Sequence, residues 1–295
     1  MKRDRTRNAT RVVRTLEKLA RDALVDDHRL DKASAARRLD AELGYYRNLK
    51  LEDQGIPDVF HRFCVSLANR RGLFSLIFGG RTGVEQMQAE YGRVLFGFQP
   101  RRVVRRYARD ADVLLADLLE ARGLTDHQRQ RQLASPQAGF PLYARGILAG
   151  AAYFSRFETN EDLVTFLDKW RSDPDVTQML PHYLEAQGIP GFGAALAADF
   201  LKEIGIKELG KPDTWVYRIM THVGWVDAGA SEFVVQRAFW DAWMRLGDDY
   251  PPVIIDKLMF LVGSGRFEMV SPTYACSSTF ENFCQLLPPP QGVTQ

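Results

Sequence analysis

Cysteine is scarce in this chain: Cys64, Cys276 and Cys284 are the only three in 295 residues, too few and too scattered for a disulfide framework or a structural zinc site. The five histidines (His28, His61, His127, His182 and His222) show no ligand spacing, so neither a metal nor a cofactor is expected. No stretch approaches the roughly 18 uninterrupted apolar residues of a membrane span. The Arg-rich start also lacks the apolar region that follows in a signal peptide. These absences predict a cytoplasmic protein without membrane contact. A Gly-x-x-x-x-Gly-Lys-Ser/Thr phosphate loop is missing as well, and so is alternation of the strand type.

Helical periodicity fills almost the whole chain, so the expected fold class is all-α. Val103, Val104, Tyr107, Ala111, Leu114, Leu115 and Leu118 mark one apolar stripe, and Leu163, Phe166, Leu167 and Trp170 mark another that begins after Thr159-Asn160-Glu161-Asp162, a capping region. Phe233, Val234, Phe239, Trp240, Trp243 and Met244 form an aromatic stripe whose spacing favours core packing over base stacking. Val253 to Val262 is apolar nearly all round, which predicts a fully buried helix ended by Gly263-Ser264-Gly265, with Asp256 and Lys257 in structural roles. With 45% hydrophobic and 26% charged residues, the chain suffices for one sizeable core or two small ones. The net charge of +2 conceals an asymmetry, because residues 1 to 50 hold 14 Lys/Arg against 8 Asp/Glu. That excess fits a helical extension that attracts polyanions, and it equally fits a solvated helix pair.

The chemistry concentrates in Ile189-Pro190-Gly191-Phe192-Gly193-Ala194-Ala195-Leu196-Ala197, followed one helix later by Lys211-Pro212-Asp213-Thr214-Trp215-Val216-Tyr217-Arg218. Pro before Gly-x-Gly, leading into Ala-rich helix, predicts a tight turn whose backbone N–H groups and helix N-terminus converge on one anion. Such a grip suits a nucleic-acid backbone and is blind to sequence. Asp213 opens the next helix.

This order of helix, hairpin, helix and acid resembles the HhH-GPD (helix-hairpin-helix) superfamily of base-excision DNA glycosylases. The likeness is carried by the hairpin and by Asp213, Thr214, Val216 and Arg218, with Trp215 where the superfamily places a His. It is specific over 176 to 225 and looser over 55 to 285. It implies two helical lobes with a DNA-binding cleft between them: a basic helical extension at 1–50, a core at 51–287 and a tail at 288–295. Within the core, a barrel lobe would span about 88–210 and a composite lobe 51–87 plus 211–287. Gly191, Phe192, Gly193 and Ala194 would hold the phosphate, Arg81 would plug the gap left by a flipped base, Trp215 would shape the base pocket, and Asp213 would be catalytic. Cys276 and Cys284 alone cannot hold the four-cysteine iron–sulfur cluster of many members. Ala195 stands where bifunctional members carry a catalytic Lys. Lys202, Lys207 and Lys211 lie nearby, flanking a helix end where charged residues are ordinarily solvated. The expectation is therefore a monofunctional glycosylase that uses water and leaves an abasic site in double-stranded DNA.

Loss of a base builds positive charge on the deoxyribose, and a fixed carboxylate stabilises that oxocarbenium-like state. At a helix N-terminus the Asp213 carboxylate is expected to stay ionised. The base is open: oxidised, alkylated or mismatched bases of DNA repair, or enzymatically modified bases such as those of phage DNA, which would make the role anti-phage defence. Two other readings stand beside this one, a non-catalytic helix-hairpin-helix DNA-binding protein and a DNA base-modifying enzyme. Arg101, Arg102, Arg105, Arg106 and Arg109 are read as a charged outer helix face.

Overall fold

Apolar periods become helices throughout the computed structural model, which describes residues 5–69, 83–108, 110–171 and 173–290. Among these residues the chain forms fifteen α-helices and a single two-stranded antiparallel ladder, so it is all-α. It divides into two compact units, one of residues Met1–Leu49, Asp173–Met179 and Leu201–Gln295, the other of Lys50–Ser172 and Leu180–Phe200.

The first unit is built on α1 (Ala9–His28), α2 (Lys32–Asn48), α12 (Thr214–His222), α13 (Glu232–Leu246), α14 (Pro252–Ser264) and α15 (Phe280–Leu286), with β1 (Arg266–Phe267) paired to β2 (Tyr274–Ala275). Helix α14 is the apolar-all-round segment of the sequence, and α1, α2, α12 and α13 pack around it. It ends at Gly265, whose left-handed φ of 71° supplies the stop. Helices α1 and α2 are thus integral to a core: Val12, Leu16, Leu24, Leu39 and Tyr46 share one cluster with Val216, Phe239 and Leu258. The expected aromatic stripe on α13 splits, with Phe239 and Trp240 buried but Phe233, Val234 and Met244 exposed.

The second unit centres on α8 (Gly139–Phe154), contacted by α3 (Ile56–Ala68), α5 (Pro100–Tyr107), α6 (Ala111–Ala121) and α7 (Asp126–Leu133); α4 (Gly83–Tyr91) and α9 (Asn160–Arg171) complete it. The capping region before α9 forms as expected. Thr159 Oγ1 accepts from Asp162 N at 3.2 Å while the Asp162 carboxylate accepts from Thr159 N at 3.0 Å. Two further helices, α10 (Pro174–Glu185) and α11 (Ala194–Glu203), flank the Gly-x-Gly turn. This division differs from the expected one, since 1–49 joins 201–295, and 51–87 joins the segment that follows it. The physical reason is that the buried face of α1 and α2 finds its apolar partners on α12 to α14.

Candidate active site

The turn between α10 and α11 follows from its residues. Phe192 N donates to Ile189 O at 3.1 Å, closing a four-residue turn with Pro190 and Gly191 in the middle. Gly191 has φ of +77°, as the third position of a type II turn demands, and Pro pre-sets the second. Gly193 keeps an ordinary φ and accepts the first helical bond, from Ala197 N at 2.9 Å. The amides of the first turn of α11 have no acceptor within the helix.

Packing in the second unit sets the turn's position. Phe192 is buried, its ring 4.9 Å from Phe63 and 6.2 Å from Phe200. A Cβ on Gly146 of α8 would sit 2.7 Å from both Leu67 Cδ2 and the Pro190 carbonyl oxygen, so only glycine lets the turn lie this close. Ala194 is buried as well. Phe192 and Ala194 therefore serve the core with their side chains and offer a ligand only main chain. Glu185 is a complication that the sequence did not flag. Its Oε1 lies 3.4 Å from where a Cβ on Gly193 would be, which puts a carboxylate beside the amides, with His182 Nδ1 3.6 Å from Oε2.

Asp213 belongs to the first unit and caps α12. Its Oδ1 accepts from Trp215 N at 2.8 Å and Val216 N at 3.0 Å. Both bonds go to one oxygen, leaving Oδ2 without a donor among the described residues. Burial raises the pKa of Asp213 above the ordinary value, and the Asp256 charge raises it further; the Val216 N–H, Lys211 and Lys202 pull the other way without prevailing. The helix terminus therefore does not act alone on this carboxylate: desolvation and a second carboxylate work against its pull towards the charged form.

Beside Asp213 lies a buried set of charges, all within the first unit. Lys202 Nζ is 2.8 Å from Asp256 Oδ2, with the two side chains 9% and 1% exposed. Lys202 is therefore buried and paired, contrary to the solvated role expected for it at the end of α11. Lys257 Nζ lies 3.2 Å from Glu42 Oε2, and Arg38 Nη2 is 2.6 Å from Glu42 Oε1. Tyr46 donates its hydroxyl to Glu203 at 2.7 Å. Asp256 Oδ1 is buried and accepts no hydrogen bond among the described residues. Burial lowers the pKa of Lys257, and the neighbouring Lys202 adds to this, against the pull of Glu42 and Glu203. The structural role expected for Asp256 and Lys257 fits these pairs.

Trp215 sits over α14, where a Cβ on Gly263 would be 2.7 Å from its Cε3. The Arg218 guanidinium lies 4.8 Å from the Trp215 ring centroid and 4.2 Å from that of Phe280. Both neighbours are structural partners for the indole. Arg81 lies outside the described residues. Cys64, Cys276 and Cys284 are free thiols, and no group of His, Cys, Asp or Glu among the described residues is arranged to hold a metal. No described helix is long and apolar enough to cross a membrane. Asp256 and Glu185 are the residues near the candidate groups that sequence reasoning undervalued, because neither is adjacent in sequence to what it touches. Comparison with protein-family models, with curated proteins and with solved structures found no match.

Proposed function

We propose that the protein is a monofunctional DNA glycosylase that hydrolyses the N-glycosidic bond of a damaged or enzymatically modified base. The observation that carries the reading is Asp213: one oxygen is tied to two backbone amides, fixing the carboxylate's orientation, and the other has no donor among the described residues. A carboxylate held in this way is suited to stabilise a developing sugar cation without reorganising. The turn at Ile189–Phe192 supports the reading through its main-chain amides, which suit a phosphate. In the reaction, the C1′–N bond breaks and its electron pair leaves with the base. Water adds its oxygen to C1′, and the water's proton ends on the released base. Ala195 offers no amine, so the nucleophile is water and the strand stays intact.

The test incubates the wild type and Asp213→Asn with damaged and phage-modified DNAs, scores alkali-labile sites and identifies the released base by mass spectrometry. Asn retains an oxygen that can accept from Trp215 N and Val216 N, so the cap survives while the charge is lost. Base release by the wild type alone is expected. Release by both proteins, or by neither, would overturn the assignment; release by neither with DNA binding intact would favour the non-catalytic DNA-binding reading, in which Asp213 is only a helix cap.

A further inference from the structure

Helix α1 buries one face and charges the other. Val12, Val13, Leu16, Leu19, Ala20 and Leu24 enter the core of the first unit. Opposite them Arg11, Arg14, Lys18 and Arg21 are exposed at steps of three, four and three residues, so they form one straight row. Arg7, in the turn before the helix, is exposed and lines the same shallow surface depression as Arg11, Arg14 and Lys18. Arg7, Arg14, Lys18 and Arg21 form no ion pair or hydrogen bond among the described residues, and Arg11 donates only to the Leu286 carbonyl at 3.4 Å. Two carboxylates of α1 lie near the row, Glu17, which accepts from the Tyr250 hydroxyl at 2.9 Å, and the exposed Asp22 beside Arg21, and neither forms an ion pair with it among the described residues.

We propose that this row on α1 is a docking surface for the phosphate backbone of duplex DNA. From Arg11 to Arg21 the helix rises about 15 Å. One DNA strand presents a phosphate every ~3.4 Å of duplex axis, so the same length carries about four phosphates against four cations. An anionic membrane fits less well, because a helix that binds in a bilayer interface needs its apolar face free, and that of α1 is spent on the core. Thr10 and Thr15 flank the row with hydroxyls, and the Thr15 hydroxyl donates to Arg11 O at 2.9 Å. The surface reads no sequence. It would hold undamaged and damaged DNA alike, and it rests on the glycosylase reading only for the identity of the polyanion.

The test measures binding of an undamaged duplex as a function of salt. Each phosphate contact contributes about 0.9 to the slope of log K against log salt. Changing Arg7, Arg14, Lys18 and Arg21 together to Gln should flatten that slope by up to about 3.6. A second variant with Arg7, Arg14 and Arg21 changed to Lys should keep the wild-type slope, which separates loss of charge from damage to the fold. An unchanged slope in the Gln variant overturns the proposal. So does loss of binding to phosphatidylserine vesicles in that variant while its DNA slope stays as in the wild type. A charge-dependent slope without base release from any DNA would keep this surface and remove the glycosylase reading. Base release with an unchanged slope would do the reverse.

Discussion

Replacing Glu42 by Gln tests whether the charges inside the first unit hold it together. Glu42 is fully buried; its carboxylate faces Arg38 at 2.6 Å and Lys257 at 3.2 Å, and accepts from Met269 N at 3.1 Å. Both cations are less than a tenth exposed. Gln keeps the shape but turns one oxygen into an amide that cannot accept, and two buried cations lose the anion they share. Removing one partner of a buried pair costs about 3–5 kcal/mol, because the remaining charge stays desolvated. Lys257 can relieve part of that cost by losing its proton, since burial already depresses its pKa. Arg38 cannot, so the loss should stay within that range. At roughly 2–4 °C per kcal/mol for a domain of this size, the midpoint should fall by about 10 °C. The assay is urea and thermal unfolding of the wild type, Glu42→Gln and the double variant Glu42→Gln/Lys257→Met, which should recover part of the loss. Lys257 also gives a sign to the pH dependence. Its folded pKa lies below that of an ordinary lysine, so between the two the unfolded chain binds more protons and stability rises with pH. The rise should vanish in Lys257→Met. A Glu42→Gln loss below about 1 kcal/mol would refute the reasoning, since it would place the pair in the range of solvent-screened ones.

On the proposed reading base release needs the Asp213 carboxylate ionised, so activity should climb with pH through its raised pKa; Asp256→Asn should move that limb to lower pH and Lys202→Met to higher pH, as measured by pH profiles of kcat/KM. Shifts in the same direction would count against the electrostatic account. Gly146→Ala should displace the turn from α8 and lower the stability of the second unit by about 1–3 kcal/mol, as expected for overpacking; the readouts are unfolding and DNA affinity. Glu185→Gln should tighten DNA binding by removing a carboxylate from beside the turn, and unchanged affinity at low salt would mean that no phosphate reaches those amides.

Periodic and local features of this chain are legible in its sequence. Helix α14 reads directly, because an apolar run with a glycine stop has few other solutions, and the Thr159–Asp162 box reads because its four residues contain both partners. Gly191 reads as a turn residue for the same reason, and its φ of +77° is what Pro-Gly predicts. Which core α1 and α2 join is less legible. Charge count describes the outside of α1, whereas the unit it joins is decided by the other face, which Val12, Leu16 and Leu24 turn inward.

The buried charges around Asp213 show why a candidate site is harder to read than a fold. Arg38 and Glu42 are four residues apart on α2, the pattern of an ordinary solvated pair, yet both are buried because Lys257 and the backbone of 267–270 close over them. Lys202 ends α11, where a lysine usually meets water, and finds Asp256 instead. No local rule separates these cases, since the deciding contact is 54 residues away for Lys202 and farther for Glu42. The consequence for chemistry is specific. Asp213 at a helix start would be expected to ionise readily, but burial raises its pKa and the Asp256 carboxylate, paired with Lys202, raises it further, so its titration depends on neighbours that its own helix does not contain. A residue's type and cap can therefore nominate it as catalytic, while its state of charge belongs to the tertiary neighbours, which is why Asp256 and Lys202 carry the decisive pH measurement.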